Sequence, residues 1–316
     1  MKSIIGKLGK SFSKILLPLI YKIFFFFKIN RRAINFFSEK SFFANNKQNF
    51  DNLIISLLNQ KKIITLDVGA QGGFNSDQFT PSKYDQFFET ILIEPIKEEA
   101  KKLKEKNKYV IENGLWSSKK KKEIFMLENR LGSSSMYEPN PELFDLHRIK
   151  KKNYLDYKVT KKIEVDCETL DSSLTKLGIN KLDYLKIDTQ GAELEILKGI
   201  GKYKPLLIRL EFQIHSMYKD VPNWSELLNY LYKLNYTIID WKEIGSHATR
   251  VPAEMDMIFI PNFNSEEGKK LILENEEMFI CLMLIFGQIS LLKIISNKYG
   301  LKYLDKVENL KDLYFD

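Results

Sequence analysis

Residues 63–74 read IITLDVGAQGGF, an apolar run that leads into a glycine-rich turn. The run IITLDV is rich in β-branched residues and has the length of a buried strand. Gly69, Gly72 and Gly73 have no side chain, so they permit tight turns and the close approach of a ligand. In open α/β sheets, ligands bind where the strands end. The stretch therefore predicts the first strand of an α/β domain with a binding site at its carboxyl end.

Short β-rich runs alternate with helical stretches from residue 61 onwards, which is typical of a mostly parallel sheet with helices on both faces. Strands are predicted at about 63–68, 91–94, 109–113, 184–188, 206–212, 236–240 and 255–261. Helices are predicted at about 75–80, 96–106, 190–198 and 223–234. A long insertion at about 117–180 separates the third and fourth strands, and such an insertion can build the wall of a substrate pocket.

The 316 residues divide by pattern into a leader at 1–60, the α/β domain at 61–262 and a helical C-terminal extension at 263–316. The extension contains the apolar segment EEMFICLMLIFGQISLLKIIS, which starts at residue 276. We predict a buried or interface helix there. A membrane span is the weaker alternative, because Gly-Gln-Ile-Ser interrupts the segment at its centre.

The net charge of +8 lies entirely in the leader. Residues 1–40 contain nine basic residues and one acid, Glu39, whereas residues 41–316 are balanced. The body of the protein therefore has no positive field to attract a polyanion, which argues against nucleic acid as a partner.

Residues 4–27 combine lysines at helical spacing with apolar residues, a basic amphipathic pattern. Two interpretations have equal weight, a helix on an anionic membrane surface and a helix packed on the core. Pro18 and Lys22 interrupt the apolar part, which is too short to span a bilayer and lacks a cleavage site. We predict a cytoplasmic protein that can lie at the inner face of a membrane through residues 1–40.

Cysteine and histidine spacing offers no metal site. Cys167 and Cys281 do not form a C-x-x-C pair, which also argues against a disulfide framework. The three histidines, His147, His215 and His247, lack the spacing that places two imidazoles on one helix face. We therefore predict no bound metal.

Two acids at strand ends suggest the kind of ligand. Asp67 precedes the glycine turn, where a carboxylate repels phosphate but attracts an ammonium group. Glu94 ends the second strand, before Pro95, and is expected to accept the two hydroxyls of a ribose. The spacing G-A-Q-G-G differs from the G-x-G-x-x-G fingerprint. These features favour a positively charged nucleoside, with a nicotinamide dinucleotide as the weaker alternative.

The predicted cofactor site contains residues from four strand ends. Asn113, Gly114 and Leu115 are expected near the adenine. Asp188 ends the fourth strand at the same edge, where an acid after apolar residues needs a partner. The predicted cofactor-binding residues are Asp67, Gly69, Gln71, Gly72, Gly73, Phe74, Glu94, Asn113, Gly114, Leu115 and Asp188.

Four ordered motifs resemble the FkbM family of methyltransferases. They are D-V-G-A-Q-G-G at 67–73, E-P at 94–95, T-L-D at 169–171 and K-I-D-T-Q-G-A-E-x-x-I-L-K-G at 186–199. The resemblance covers about residues 61–261. It implies a Rossmann-like class I fold with a seven-stranded sheet, S-adenosylmethionine as cofactor, and O-methylation of hydroxyls, often on sugars or natural products. The family usually has Asn in place of Gln71 and an acid in place of Gln190.

Methyl transfer requires an aligned acceptor oxygen that loses its proton. Asp188 and His215 are the candidate bases. Glu211 is the candidate for orienting the acceptor or for binding a cation with Asp188, although two carboxylates alone do not establish a metal site. The predicted acceptor is a small molecule or glycan, and the sequence leaves a homo-oligomer open. The alternative function is a membrane-associated binding or scaffold protein on a degenerate methyltransferase fold. The intact acids Asp67, Glu94 and Asp188 argue against degeneration.

Overall fold

The computed structural model describes residues 46–127, 129–147, 149–245 and 253–304, together with Leu19, Lys22 and Ile23. The predicted leader helix otherwise lies outside the described residues. The chain forms two compact units: Lys62–Glu274, and Met1–Lys61 together with Asn275–Asp316.

The described residues of the larger unit contain ten strands and five α-helices. The strands are β1 (Ile63–Val68), β2 (Phe88–Ile93), β3 (Tyr109–Ile111), β4 (Gly114–Leu115), β5 (Lys120–Met126), β6 (Lys161–Glu168), β7 (Tyr184–Ile187), β8 (Leu207–Gln213), β9 (Tyr236–Gly245) and β10 (Glu254–Pro261). The helices are α1 (Lys97–Lys104), α2 (Leu170–Lys176), α3 (Glu193–Lys198), α4 (Trp224–Lys233) and α5 (Glu266–Glu274).

Seven strands form one sheet in the order β3-β2-β1-β7-β8-β10-β9. Neighbouring strands in the part β3-β2-β1-β7-β8 are parallel. Strand β10 is antiparallel to both β8 and β9. The mostly parallel α/β arrangement predicted from the sequence is therefore confirmed. The strand order changes direction between β1 and β7, and a crevice for a ligand opens at such a switch point.

Apolar burial explains why β1 and β7 lie at the centre of the sheet. Leu66, Val68, Leu185 and Ile187 are all almost completely buried in one hydrophobic core. Strands covered on both faces are expected to be nearly continuous apolar runs. Polar residues within such strands, Asp67 above all, are exceptions that need a partner.

One predicted helix is wrong. Residues 75–80 form turns, because Asn75 and Gln78 have left-handed φ values of 53° and 52°. The side chain of Asn75 also donates to the Thr80 carbonyl and accepts from the Thr80 amide, at 3.0 and 3.1 Å. Asn favours such local bonds over a helix. The other predicted elements of the large sheet differ from the observed ones by a few residues at their ends.

The insertion, together with the short strand β4 before it, forms a second sheet that the sequence analysis does not predict. Its three strands have the order β4-β6-β5, with β5 antiparallel to β6. Helix α2 follows, capped by Thr169, whose side chain accepts from the Ser172 amide at 3.1 Å. The T-L-D motif thus begins a helix.

The smaller unit is helical where it is described. Residues 46–58 are helical, followed in sequence by α6 (Glu276–Ile285) and α7 (Ile289–Tyr299). The residues Met278–Ile285 are all buried. Gly287, with a φ of 72°, separates α6 from α7. Within the described residues, no helix is long and apolar enough to cross a membrane.

Candidate active site

The glycine turn brings the end of β1 against the end of β7. Gly69 has a φ of 80°, and its amide donates to the Ile93 carbonyl at 3.2 Å. A Cβ on Gly69 would lie only 1.9 Å from the carbonyl oxygen of Asp188. Gly69 is therefore required both for its backbone conformation and for this close approach.

An open cleft lies at the carboxyl ends of β1, β2 and β7. Six of the predicted cofactor residues line it: Gly69, Gln71, Glu94, Gly114, Leu115 and Asp188. The insertion contributes further lining residues between Leu131 and Met136, and apolar side chains such as Ile93 and Ile124 complete the walls. No Lys, Arg or His is among the described residues that line this cleft. The cleft combines carboxylates with apolar surface.

Glu94 presents a buried carboxyl group to the cleft. Its side chain accepts from the Ile96 amide at 2.9 Å, and only 4% of the residue is exposed. Burial raises the pKa of Glu94 from 4.5 to about 7. A ligand that donates hydrogen bonds to this carboxyl group therefore favours its ionised form.

Asp67, a predicted cofactor residue, is not among the described residues that line the cleft. Asp67 is fully buried, and its carboxylate accepts from the ammonium group of Lys186 at 3.1 Å. Burial alone would lower the pKa of Lys186, but the charges of Asp67 and Asp188 outweigh it and raise that pKa. The Asp67 carboxylate thus pairs with Lys186 through Oδ1, while its Oδ2 has no hydrogen-bond partner among the described residues.

Four other predicted cofactor residues do not line the cleft: Gly72, Gly73, Phe74 and Asn113. The ring of Phe74 packs against that of Phe88, with ring centres 4.8 Å apart. Phe74 also packs on the small apolar cluster that contains Leu103. Its position is explained by packing between the glycine turn and neighbouring elements.

Gln190 is the centre of a hydrogen-bond network beside the cleft. Its Nε2 donates to Asp188 Oδ1 at 3.2 Å and to Glu211 Oε2 at 2.7 Å. Its Oε1 accepts from Gln213 Nε2 at 3.2 Å and from the Tyr218 hydroxyl at 3.0 Å. Gln190 also has a left-handed φ of 61°. A residue other than glycine in this conformation is uncommon and often marks a functional site.

Asp188 and Glu211 share this network as a coupled carboxyl pair. Burial of Glu211, together with the charge of Asp188, raises the pKa of Glu211 well above its usual value. Burial opposes ionisation of Asp188, but a hydrogen bond from Glu211 and the charge of Lys186 outweigh it and lower the pKa of Asp188. Asp188 is therefore the more acidic carboxyl group of the pair, and Glu211 keeps its proton to a higher pH.

Comparison with protein families agrees with this geometry. The model of the Methyltransferase FkbM domain matches residues 67–238, which is more than half of the chain. The chain belongs to the FkbM methyltransferase family. It is therefore a methyltransferase. No protein of curated function matches it at a significant level.

The FkbM motifs contribute unequally to the cleft. It is lined by residues of three motifs: Val68, Gly69 and Gln71 of D-V-G-A-Q-G-G, Glu94 and Pro95 of E-P, and Asp188 to Gln190 of the K-I-D-T-Q motif. Glu193 lies just beyond, and its carboxyl group accepts from the Thr189 and Gly191 amides at 2.9 and 3.2 Å. Glu193 thereby fixes the turn that carries Gln190.

The candidate base His215 does not line the cleft. Its backbone carbonyl accepts from Nε2 of His147 at 2.6 Å. His147 lines a cavity of this FkbM methyltransferase: its side chain is 2% exposed, and its Nδ1 is 3.3 Å from Glu254 Oε1. The structure therefore favours His147 over His215 as the histidine beside a ligand.

That cavity adjoins the cleft and has a volume of about 390 Å³. Gln190 lines both spaces, and Ser133 of the cavity precedes Ser134 of the cleft. Glu211, the candidate for orienting the acceptor, also lines the cavity. The carboxyl pair and Gln190 therefore lie where the two spaces meet.

Sequence reasoning missed Lys186, Arg130, His147 and Glu254. A signal exists for Lys186, because it precedes Asp188 by two residues and so shares its side of the strand. Arg130 and His147 lie in the irregular insertion, where periodicity gives no information. Among the described residues, no group of three or more His, Cys, Asp and Glu side chains is arranged to hold a metal ion.

Proposed function

We propose that this FkbM methyltransferase transfers the methyl group of S-adenosylmethionine to a hydroxyl group of a sugar or glycan. The observation that carries the proposal is the composition of the cleft. Glu94 and Asp188 supply carboxyl groups to it, and no basic residue lines its described part. A cationic nucleoside fits such a lining, whereas the pyrophosphate of a dinucleotide does not.

The residues present match the chemical groups of the proposed cofactor. The carboxyl group of Glu94 would accept the ribose hydroxyls, and Ile93, Leu115 and Ile124 would provide apolar surface for the adenine. The ionised carboxylate of Asp188 would lie on the side of the cleft that holds the positive charge of the cofactor. When bound, S-adenosylmethionine supplies a methyl group on a positively charged sulfur.

Asp188 is the proposed general base. Its ionised carboxylate would accept a hydrogen bond from the acceptor hydroxyl and take its proton as the new C–O bond forms and the C–S bond breaks. The raised pKa of Glu211 makes it the carboxyl group that keeps its proton longer, and in that form it can donate a hydrogen bond and orient the acceptor. Gln190 would keep the two carboxyl groups in these roles, because its amide donates to both.

A binding experiment tests the cofactor, and an analysis of products tests the acceptor. S-adenosylmethionine at 100 times its dissociation constant is expected to stabilise the protein by about 2.7 kcal/mol, whereas NAD is expected to leave its stability unchanged. Mass spectrometry compares cell-envelope glycans from cells with and without the protein. A glycan from cells with the protein is expected to be heavier by one methylation, about 14 Da. A stabilisation by NAD alone would reject the proposal.

We also propose that residues 1–40 bring the protein to an anionic membrane surface from the cytoplasm. The support is the local excess of basic residues, since each contributes about 1 kcal/mol near such a surface. Full-length protein is expected to bind vesicles that contain phosphatidylserine, and protein lacking residues 1–40 is not. Equal binding of both forms would contradict this.

A further inference from the structure

The polar cavity beside the cleft has the features of an acceptor site. It meets the cleft at Gln190, whose amide donates to the proposed base Asp188, and Glu211 lines the cavity itself. Its described polar lining includes Ser133, His147 and Asn153. An apolar acceptor would strip water from these groups without replacing their hydrogen bonds, which is costly. The lining therefore suits a ligand with several hydroxyl groups.

His147 and Glu254 fix one wall of this cavity. A backbone carbonyl only accepts, so Nε2 of His147 donates to the His215 carbonyl. Nδ1 of His147 then faces Glu254 at 3.3 Å. Both side chains are almost completely buried, at 2% and 14% exposed. The two side chains shape this wall, and Nδ1 of His147 has no hydrogen-bond partner among the described residues.

Arg130 is the charged residue of the cavity that has no acidic partner among the described residues. Arg130 is exposed, so it lies at the solvent side of the cavity. Glu211 is buried, so it lies at the inner side. Its guanidinium carbon lies 4.7 Å from the centre of the Tyr157 ring. Stacking on an aromatic ring leaves the N–H edge of a guanidinium free to bind a carboxylate or phosphate through two hydrogen bonds.

We infer that the cavity binds a sugar or polyol that carries an acidic group, with the acid held by Arg130 and a hydroxyl directed to Gln190 and Glu211. This inference rests on the proposed function and narrows its acceptor. Asn153 supports it, because its side chain has no hydrogen-bond partner among the described residues and is half-buried in the cavity wall. It supplies a donor and an acceptor for a hydroxyl between the two ends.

Titration calorimetry with full-length protein, saturated with S-adenosylhomocysteine, tests the inference. The probes are glucose, glucuronate, glucose 6-phosphate and inorganic phosphate. At least one of the two acidic sugars is expected to bind about tenfold or more tightly than glucose and than phosphate, since a charge-assisted hydrogen bond contributes this much. Which of the two binds identifies the acidic group.

Three variants test whether the preference for an acidic sugar over glucose comes from the cavity. Arg130→Gln is expected to remove it, and Arg130→Lys to reduce it, because an ammonium group cannot form the paired hydrogen bonds. Lys151→Gln removes an exposed positive charge near the cavity that does not line it, and is expected to keep the preference.

Three results would overturn the inference: equal binding of glucose and the acidic sugars, binding of phosphate as tight as theirs, or a preference that survives Arg130→Gln. Failure of every probe would also overturn it. If the protein binds S-adenosylhomocysteine in these experiments, such a failure concerns the acceptor alone. If it does not bind that compound, the proposed function itself fails.

Discussion

Nε2 of Gln190 donates a hydrogen bond of 2.7 Å to Oε2 of Glu211. The same nitrogen donates to Asp188 at 3.2 Å, so one amide contacts both carboxyl groups. The resemblance to the FkbM family leads one to expect an acid at position 190. In this chain an acid there would place a third carboxyl group against the other two, whereas an amide supplies a donor. The departure from the family pattern thus has a physical explanation.

Gln190→Glu is therefore expected to destabilise the protein at pH 8 by about 2 kcal/mol. The new carboxyl group would be raised in pKa by its neighbours, so the folded state binds more protons than the unfolded state. The stability of the variant then falls as pH rises and recovers towards pH 5. Urea unfolding at both pH values measures this. The exposed Gln86→Glu serves as the control, and an equal effect of both variants at pH 8 would contradict the account.

Glu94→Gln is expected to stabilise the ligand-free protein above pH 7. The pKa of Glu94 is about 7 in the folded protein and 4.5 ordinarily. Between these values the folded state binds more protons, so wild-type stability falls as pH rises and the variant escapes this loss. The difference reaches about 3 kcal/mol above pH 7 and vanishes below pH 4.5. The exposed Glu98→Gln should show no such trend, and a gain for Glu94→Gln that is independent of pH would refute the assignment.

Lys186→Met is expected to cost about 3–5 kcal/mol, because it leaves the carboxylate of Asp67 buried without its partner. The double variant Asp67→Asn with Lys186→Met should recover much of that loss. Chemical denaturation of the single and double variants gives the interaction energy. Lys121→Met breaks the exposed pair with Glu164 and should cost far less stability than Lys186→Met, because water screens an exposed pair. Additive effects of the two changes at 67 and 186 would rule out the pairing.

Gly69→Ala and Gly178→Ala separate backbone strain from steric clash. Both glycines have a positive φ, of 80° and 72°. A Cβ at Gly178 meets nothing within 4 Å, whereas at Gly69 it lies 1.9 Å from the Asp188 oxygen. Gly178→Ala is expected to cost about 1–2 kcal/mol. Gly69→Ala should cost at least about 2 kcal/mol more. Equal losses in urea unfolding would show that β1 and β7 do not approach each other in this way.

The sequence predicts the central sheet well, because apolar runs of β-branched residues bounded by glycine have few other interpretations. The ends of β1 agree with the prediction, and Glu94 and Asp188 line the cleft as expected. Asp67 does not, because its burial depends on Lys186 of another strand. Such a pairing between β1 and β7 follows from the register of the folded sheet and not from the local pattern.

The second cavity is harder to predict from sequence. Arg130 and His147 lie in the insertion, far in sequence from Gln190 and Glu254, and only the tertiary structure brings them to one cavity. The choice of His215 over His147 illustrates this. His215 follows β8 directly, a position typical of functional residues, but it meets His147 through its backbone carbonyl.

The central claim is that the cleft binds a positively charged nucleoside. Titration calorimetry tests it most directly, by measuring the dissociation constants of S-adenosylmethionine and NAD for wild type and for Glu94→Gln. We predict that wild type binds S-adenosylmethionine and not NAD, and that Glu94→Gln weakens that binding by about tenfold through loss of a charged acceptor for the ribose. Tight binding of NAD in place of S-adenosylmethionine, or unchanged binding by the variant, would contradict the account.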